Sequence, residues 1–392
     1  MSDETVVVLG EDFPDLRDSV RRICAKYPGT YWSGLEEKEA YPTEFVNELT
    51  EAGFLGALIP EEYGGSGMPL RAAAVILEEI NASGCVASQG HAQMYIMGTV
   101  LRHGSEEQKR RFLPPIARGE LRLQAFGVTE PNAGSDTTKI TTTAVRTGNR
   151  YLVNGQKVWT SRVQHSDLML LLVRTSPPSS DPKQKTAGLS TLLVDLRDAP
   201  PGTIDVRPIR TMMNHETNEV FFHDLEVPAE NLVGDEGSGF RYILDGMNAE
   251  RILIAAECIG DGTFFIERAV KYVGERIVFG RPIGQNQGVQ FPIARAHAAV
   301  MAADLVRRQA SALFDAGRPC GAEANTAKLL ASEASWQAAN ASIDAHGGFG
   351  FAEEYDIERK FLETRLYITA PVANNLILSY IGQHVLGMPR SF

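Results

Sequence analysis

The sequence predicts an α+β protein of several domains, with helical segments at both ends and a β domain between them. Three observations support this order. Apolar residues recur at helical spacing up to about residue 118, short runs rich in Val, Leu, Thr and Phe begin at Leu121, and long helical patterns return after Pro228. Because 392 residues exceed one ordinary hydrophobic core, we expect two or three structural units, divided at 1–120, 121–230 and 231–392.

The first 120 residues have the pattern of a helical domain. Apolar side chains lie three or four positions apart in the stretches 45–58 and 73–80, which is typical of helix faces that pack into a core. His91 lies in this region, where a histidine is structural, solvated or part of a ligand pocket.

The middle region has the pattern of an antiparallel sheet that closes into a barrel, because its strands follow one another without interleaved helices. The predicted strands are 121–127, 151–153, 157–161, 168–174, 189–195 and 219–227. Asn154-Gly155 lies between two of them and predicts a tight hairpin. Such a hairpin would return Trp159 and Ser161 beside the first strand.

The C-terminal region predicts long helices over 241–276, 292–316 and 322–345. The last two are rich in alanine, which favours close helix packing. Gly237-Ser238-Gly239 precedes the first helix but lacks both a preceding strand and a third glycine. It is therefore not a dinucleotide fingerprint, and it does not support nicotinamide as the cofactor.

Composition and charge exclude several classes of partner. The net charge of −11 disfavours nucleic acid and anionic membrane surfaces. The four cysteines are scattered, without the spacing of a zinc site or a redox dithiol, and we expect no metal. The acidic start Met1-Ser2-Asp3-Glu4 lacks the features of a signal peptide, and no apolar run has the roughly 20 residues that a membrane span needs. These features predict a cytoplasmic protein.

Two motifs in the β domain carry the strongest functional signal. Residues 126–136 read F-G-V-T-E-P-N-A-G-S-D, a loop of small and hydroxyl residues that lets backbone N–H groups approach a planar polar ligand. Residues 154–161 read N-G-Q-K-V-W-T-S. In this order the two motifs resemble the paired flavin-binding segments of the acyl-CoA dehydrogenase family. The resemblance extends from I-P-E-E-Y-G-G at 59–65 to G-G-F-G-F at 347–351.

The resemblance implies a helical domain, a middle β-barrel and a C-terminal four-helix bundle, with FAD as the cofactor. It places four groups of residues around FAD: a loop and strand that line the flavin, an arginine for the pyrophosphate, residues near the adenosine portion, and a C-terminal turn. These residues are Phe126, Val128, Thr129, Ser135, Trp159, Ser161, Arg276, Phe279, Gln287, Asp344, Gly347, Gly348 and Asn375. Since the segment around Arg276 reaches the FAD of a neighbouring subunit in the family, a homotetramer or dimer of dimers is expected.

The catalytic base departs from the commonest family pattern. Many members carry a glutamate in a Tyr-Glu-Gly motif near the C-terminus, but the matching position here is Pro371, which cannot take a proton. Isovaleryl-CoA and long-chain acyl-CoA dehydrogenases instead carry the base one residue before an arginine, and this chain has Glu250-Arg251 there. The resemblance therefore assigns the base to Glu250, with Glu257 as a weaker candidate. It also implies that Ser135, Asn248 and Arg251 contact the substrate.

Pro371 raises a second question about the site. In the family, the backbone N–H at this position helps to hold the thioester carbonyl, and proline has no N–H. Either a neighbouring amide replaces it, or the thioester binds differently, or the chemistry has changed. Asp344 likewise stands where the family often has glutamine.

The resemblance thus implies FAD-dependent α,β-dehydrogenation of an acyl-CoA, with proton abstraction by Glu250, hydride transfer from Cβ to flavin N5, and reoxidation by an electron-transfer flavoprotein. An alternative keeps the fold but changes the reaction: a thioester reductase, a desulfinase, a carrier-protein thioester dehydrogenase, or a flavin monooxygenase using His91. A third possibility is a flavin-binding subunit without turnover.

Overall fold

The computed structural model describes residues 12–181 and 184–390. The start of the chain, on which the signal-peptide prediction rests, lies outside the described residues. Among those described, the α-helices are α1 (Pro14–Cys24), α2 (Gly29–Glu36), α3 (Thr43–Glu51), α4 (Leu70–Ala82), α5 (Ser88–His103), α6 (Glu106–Ala117), α7 (Gly239–Glu275), α8 (Gln287–Asp315), α9 (Gly321–His346), α10 (Ile357–Leu366) and α11 (Asn374–Tyr380).

The strands form one large sheet and one small hairpin. They are β1 (Leu123–Gly127), β2 (Thr143–Thr147), β3 (Arg150–Ser161), β4 (Leu168–Arg174), β5 (Leu189–Asp195), β6 (Ile204–Pro208), β7 (Thr217–Pro228), β8 (Ile277–Val278) and β9 (Arg281–Pro282). The first seven pair in the order β1-β4-β2-β3-β7-β6, with β5 on β4, and β8 pairs with β9. The predicted order of helical, β and helical regions is confirmed.

The sheet is mixed, so the prediction of a wholly antiparallel sheet is wrong. β1 pairs with β4 in parallel, and Thr143 of β2 also pairs with Arg174 of β4 in parallel. The chain forms the β2–β3 hairpin between β1 and β4. Because β1 and β4 are therefore not joined by a tight turn, they are free to pair in parallel. The other strand pairs are antiparallel.

The predicted hairpin at Asn154-Gly155 is also wrong. Arg150–Ser161 is one continuous strand, and Asn154-Gly155 coincides with an irregularity in its pairing with β7. Asn154 donates its side-chain amide to Asp224 Oδ1 at 2.8 Å, while Gly155 has φ 148°. The actual turn is Gly148-Asn149, between β2 and β3. A glycine after asparagine therefore marks a bulge here, which is another use of the same backbone freedom.

This geometry predicts that Gly155→Ala destabilises the protein by about 2–4 kcal/mol. A Cβ at Gly155 would lie 2.6 Å from Thr142 Cα, and the positive φ adds strain. Gly148→Ala is the matched control: φ is 60° and nothing lies within 4 Å of the added Cβ, so its cost should be only about 1–2 kcal/mol. Urea unfolding of both variants measures the difference, and equal costs would contradict the close approach.

The described residues divide into two compact units that do not follow the chain order. One unit contains the residues up to Glu37, Pro69–His91 and those from Asn248 onward; the other contains Lys38–Met68 and Ala92–Met247. The first unit is mostly helical and contains the β8–β9 hairpin, and the second contains the large sheet. No helix in the described part of the chain is long and apolar enough to cross a membrane.

Small residues set the helix spacing in the helical unit. A Cβ on Gly260 of α7 would lie 2.2 Å from the carbonyl oxygen of Glu78 on α4, so glycine is required for the two helices to approach. The alanines predicted to pack closely do so, since Ala296 of α8 and Ala338 and Ala339 of α9 are buried in one cluster with Phe265. These contacts fix the position of α7 against α4, α8 and α9.

Candidate active site

The loop after β1, in the sheet-containing unit, is held by a buried ion pair. Lys157 Nζ lies 2.9 Å from Glu130 Oε1 and donates to the Val128 carbonyl oxygen at 3.0 Å. Glu130 also accepts hydrogen bonds from the backbone N–H groups of Thr141 and Thr142, at 2.7 and 2.9 Å. The carboxylate therefore joins the predicted flavin loop to Lys157 of β3 and to the backbone just before β2.

The electrostatics of this pair favour the charged state at neutral pH. Burial acts to raise the pKa of Glu130, but the Lys157 ammonium and the hydrogen bonds from Thr141 and Thr142 outweigh it and lower the pKa to about 2. Burial lowers the pKa of Lys157 to about 8, although Glu130 acts in the opposite direction. Both groups remain ionised near pH 7, so each neutralises a charge that would otherwise be buried alone.

The loop and β3 present the predicted flavin-lining residues in different ways. Val158 N donates to the Thr129 carbonyl oxygen at 2.9 Å, which attaches β3 to the loop. Trp159 is 59% exposed and has φ 61°, in an interrupted part of the β3–β7 pairing. Ser161 accepts a hydrogen bond from Asn214 Nδ2 at 2.9 Å. The exposed indole and strained backbone are typical of a side chain aimed at a ligand.

The remaining predicted residues of this unit lie along the same loop. Phe126, at the end of β1, is half-buried and packs edge-on against Tyr95, with ring centroids 5.6 Å apart. Ser135 is exposed. The loop thus carries apolar and hydroxyl groups side by side.

In the helical unit, a groove of about 600 Å³ brings together four predicted cofactor residues: Arg276, Asp344, Gly347 and Gly348. The guanidinium of Arg276 lies over the Phe349 ring, 5.7 Å from its centroid. Gly347 ends α9 with φ 58°. An arginine beside exposed glycine backbone suits an anionic, phosphate-bearing ligand.

Three other predicted cofactor residues are not among those that line this groove. Phe279 is fully exposed between β8 and β9, and Gln287 is exposed at the first position of α8. Asn375 is exposed on α11. The exposure of Phe279 is unusual for so large an apolar side chain, and it is consistent with a contact outside this chain.

Glu250 lies in the first third of α7 and is only 6% exposed. Burial raises its pKa from 4.5 to about 7, against the positive charges of His91 and Arg251. Arg251 donates to Asn248 Oδ1 at 3.2 Å, while its buried Nε has no hydrogen-bond partner among the described residues. A carboxyl that titrates near neutrality is matched to proton transfer at physiological pH.

The raised pKa of Glu250 predicts a pH-dependent stability effect. A raised folded-state pKa contributes stability that is complete below the unfolded value and is lost as pH rises through about 7. Glu250→Gln should therefore exceed the wild type in stability at about pH 8, by up to about 3 kcal/mol, and match it near pH 4.5. Urea unfolding at both pH values measures this, with the exposed α7 variant Glu267→Gln as control. If Glu250→Gln changed the free energy of unfolding equally at the two pH values, the raised pKa of Glu250 would be contradicted.

The segment that follows Pro371 is held by hydrogen bonds from a lysine. Lys328 of α9 donates Nζ hydrogen bonds to the Val372 carbonyl oxygen and to Asn374 Oδ1, both at 2.8 Å. Burial lowers the pKa of Lys328 to about 8. Pro371 therefore lies in a segment that is anchored directly after it.

Sequence reasoning did not identify Glu130, Lys157 or Lys328 as site residues. One signal was available: Lys157 interrupts a strand pattern at a position that the structure buries completely. No local pattern indicates Lys328, because its partner Asn374 is 46 residues away. Glu257 is buried and engaged by His91 and Tyr367.

Comparisons with known proteins agree with these features. Models of the acyl-CoA dehydrogenase N-terminal, middle and C-terminal domains match residues 10–120, 125–225 and 237–385. The chain is 35% identical to the acyl-CoA dehydrogenase FadE12 of Mycobacterium tuberculosis, over 99% of this chain and 100% of the relative. It is 33% identical to the acryloyl-CoA reductase (NADH) of Anaerotignum propionicum, over 85% and 84%.

A solved structure is also similar to this chain in fold and sequence. The glutaryl-coenzyme A dehydrogenase in complex with glutaryl-CoA superposes with a TM-score of 0.90 at 30% identity, covering 98% of this chain and 97% of that one. Because the three domain models together span nearly the whole sequence, the chain belongs to the acyl-CoA dehydrogenase family.

Proposed function

We propose that this protein is an FAD-dependent acyl-CoA dehydrogenase in which Glu250 removes the α proton of the acyl thioester. The observation that carries the proposal is the buried carboxyl of Glu250, whose pKa lies at about 7. At that pKa the group is available as a carboxylate and still basic enough to accept a carbon-bound proton. Glu257 is less suited, because Tyr367 donates to one of its oxygens at 3.0 Å and His91 lies 2.8 Å from the other.

The residues present fit a flavin dinucleotide. The exposed Trp159 offers a planar surface, and Thr129, Ser135 and Ser161 carry hydroxyls for ring heteroatoms. In the helical unit, Arg276 and the glycines of the groove suit a pyrophosphate. Bound flavin supplies the acceptor for the hydride that leaves Cβ, which no side chain can provide.

The substrate carbonyl must be polarised while the α proton leaves. We assign Ser135, Asn248 and Arg251 to the substrate; the unpartnered Nε of Arg251 is a charged donor that lacks a partner in the described chain. Pro371 supplies no N–H, so a different donor must hold the thioester oxygen. The Lys328 hydrogen bonds to Val372 and Asn374 would fix the segment that presents this donor.

The proposed assembly follows from the family resemblance of the segment around Arg276. We infer a homotetramer or dimer of dimers, in which Phe279 and Gln287 contact FAD in a neighbouring subunit, and Asp344 and Asn375 complete the cofactor site. The domains are assigned to 1–120, 121–230 and 231–392, with the middle sheet closed as a barrel and the C-terminal helices forming a four-helix bundle. Electron-transfer flavoprotein is the proposed acceptor.

A second candidate is the reverse reaction, reduction of an α,β-unsaturated thioester. The similarity to a protein named acryloyl-CoA reductase favours it. Glu250 would then deliver the α proton instead of removing it, because the forward and reverse reactions share one transition state.

Product analysis separates the two candidates. The purified protein is incubated with saturated straight and branched acyl-CoAs and an artificial electron acceptor, and separately with enoyl-CoAs and a reductant. Mass spectrometry of the acyl products should show loss of a hydrogen pair in the first set. Turnover confined to the second set would replace dehydrogenation by reduction, and turnover in neither would contradict both.

A further inference from the structure

The hydroxyl of Ser161, at the end of β3, is held by hydrogen bonds from the loop that precedes β7. Ser161 is half-buried, and its Oγ accepts a hydrogen bond from Asn214 Nδ2 at 2.9 Å. Asn214 lies between β6 and β7, and its amide also donates to Thr217 Oγ1, at 2.9 Å. Both hydrogens of the Asn214 amide therefore go to hydroxyl oxygens.

Arg162, directly after β3, determines which way this amide faces. Its Nη1 donates to Asn214 Oδ1 at 3.4 Å. Because a guanidinium carries donors and no acceptor, the amide oxygen of Asn214 must face Arg162 and the amide nitrogen must face the hydroxyls. Arg162 is itself buried, and its backbone N–H donates to the Glu216 carbonyl oxygen at 2.8 Å. The loop and the end of β3 are thus joined through both backbone and side chains.

The hydroxyl hydrogens of this network follow from the same contacts. Thr217 donates its single hydroxyl hydrogen to the Asn214 carbonyl oxygen at 2.7 Å, so it does not donate to Ser161. The Oγ atoms of Ser161 and Thr217 are 3.4 Å apart, beyond the roughly 2.5–3.0 Å of an ordinary O–H···O hydrogen bond. Because Ser161 accepts from Asn214, its own hydrogen is left for an acceptor outside this network.

The backbone of Asn214 has a conformation that few residues adopt. Its φ is 57°, in the left-handed region where asparagine is one of the few common non-glycine residues. The Thr217 N–H donates to the Asn214 carbonyl oxygen at 3.2 Å and helps to hold this turn. Such a conformation persists where the surrounding contacts stabilise it, and it is frequent at ligand sites. Here it directs one amide at two hydroxyls.

We propose that Asn214 is a positioning residue for the cofactor: by donating to Ser161, it makes the Ser161 hydroxyl a hydrogen-bond donor for an acceptor atom of the flavin ring, a nitrogen or a carbonyl oxygen. This inference rests on the proposed function, in which Ser161 contacts flavin. Asn214 acts through Ser161, and it touches neither the cofactor nor the reacting atoms. A donor that is oriented before the ligand binds needs no rearrangement when the ligand arrives.

Two replacements of Asn214 change the hydrogen bonding and keep the backbone. Asn214→Gly removes the amide, and glycine tolerates the positive φ. Asn214→Asp keeps the size and shape of the side chain, and aspartate also tolerates this φ. A carboxylate only accepts hydrogen bonds, so Asn214→Asp would take the Ser161 hydrogen for itself. Both variants should therefore remove the same donor from the flavin as Ser161→Ala does.

Flavin release and the flavin spectrum of the holoprotein report this loss without acyl-CoA. After dilution into flavin-free buffer, FAD should leave the Asn214→Gly, Asn214→Asp and Ser161→Ala proteins about three- to tenfold faster than the wild type, as expected for one hydrogen bond. FAD fluorescence follows the release. The visible bands of the bound flavin should shift in both Asn214 variants as they do in Ser161→Ala. The matched control is Asn149→Gly, in the exposed turn at the other end of β3, which should change neither readout.

A purely structural role of Asn214 gives different results. If Asn214 only shaped the loop, Asn214→Asp would keep that shape and its contact with Arg162, and it would behave like the wild type. That result would overturn the proposal. The double variants Asn214→Gly/Ser161→Ala and Asn214→Asp/Ser161→Ala should release FAD no faster than Ser161→Ala alone. Faster release from either of them would show that Asn214 acts by shape or charge instead of through Ser161, and would also overturn the proposal.

The design separates this inference from the proposed function. If no acyl-CoA reduces the bound flavin, the dehydrogenase reaction is contradicted, while flavin release and the spectrum still test Asn214. If an acyl-CoA reduces the flavin but the Asn214 variants release FAD at the wild-type rate, the role of Asn214 is contradicted and the reaction stands. If Asn214→Gly does not fold, Asn214→Asp and its double variant carry the same comparison.

Discussion

Replacing Glu250 by glutamine should slow acyl-CoA-dependent flavin reduction by about 10²- to 10⁴-fold, the usual contribution of a general base. Glutamine keeps the size and polarity of the side chain but cannot accept a proton. Because Glu250 is buried on α7 and its pKa is raised to about 7, the variant should fold and still bind acyl-CoA. Stopped-flow measurement of flavin absorbance, under anaerobic conditions and at saturating acyl-CoA, gives the rate.

Two variants on the same helix make this result specific. Glu267→Gln carries the same chemical change at an exposed position of α7 and should reduce flavin at the wild-type rate. Glu257→Gln tests the other buried glutamate. A Glu250→Gln protein within threefold of the wild type, together with an inactive Glu257→Gln protein, would move the base to Glu257.

Replacing Lys157 by methionine should lower the free energy of unfolding by about 3–5 kcal/mol, because it leaves the Glu130 carboxylate buried without its cation. Lys157 is completely buried and its Nζ lies 2.9 Å from Glu130 Oε1. Since Glu130 also binds the backbone of Thr141 and Thr142, the loop after β1 should loosen and the protein should retain less flavin. Urea unfolding and the flavin-to-protein absorbance ratio measure the two effects.

The same loop supplies the control. Lys139 and Asp136 form an exposed pair at 3.2 Å, with side chains 70% and 51% exposed, so Lys139→Met should cost less than about 1 kcal/mol. Adding Glu130→Gln to Lys157→Met should recover part of the lost stability, because no uncompensated charge then remains. Equal costs for Lys157→Met and Lys139→Met would show that the buried pair does not hold the loop.

Helix positions were the most predictable part of the fold. The sequence predicts a helix over 241–276, and α7 spans Gly239–Glu275, since a long apolar pattern with few breaks determines such an element almost alone. β4 and β5 were likewise predicted at their observed bounds, because each is a short run rich in Leu and Val.

Elements whose pattern depends on distant neighbours were not predictable. β2 reads T-A-V-R-T, without the alternation that identifies a strand. β6 reads I-D-V-R-P, which alternates over only four residues before a proline, so its signal is weak. The parallel pairing of β1 with β4 depends on the chain path, which periodicity does not encode. At Asn154-Gly155 the turn signal was present, but Asp224 from β7 satisfies the asparagine within a strand.

The candidate site, like the fold, was predictable from the sequence only in part. The family resemblance pointed to Glu250, Arg276 and the loop from Phe126. The hydrogen bonds and ion pairs of the site could not be predicted, because the partners are far apart in the chain: Glu257 and Tyr367 are separated by 110 residues and Lys157 and Glu130 by 27. Only the folded chain shows that His91 of α5 lies beside Glu257 of α7.

The most direct test of the account is an anaerobic titration of the purified, flavin-bound protein with straight and branched acyl-CoAs, followed at the visible absorbance of the flavin. The account predicts rapid bleaching by at least one class of acyl-CoA, and loss of that bleaching in Glu250→Gln. Bound FAD that no acyl-CoA reduces would contradict dehydrogenation as the function, and would show that Pro371 accompanies a change of chemistry.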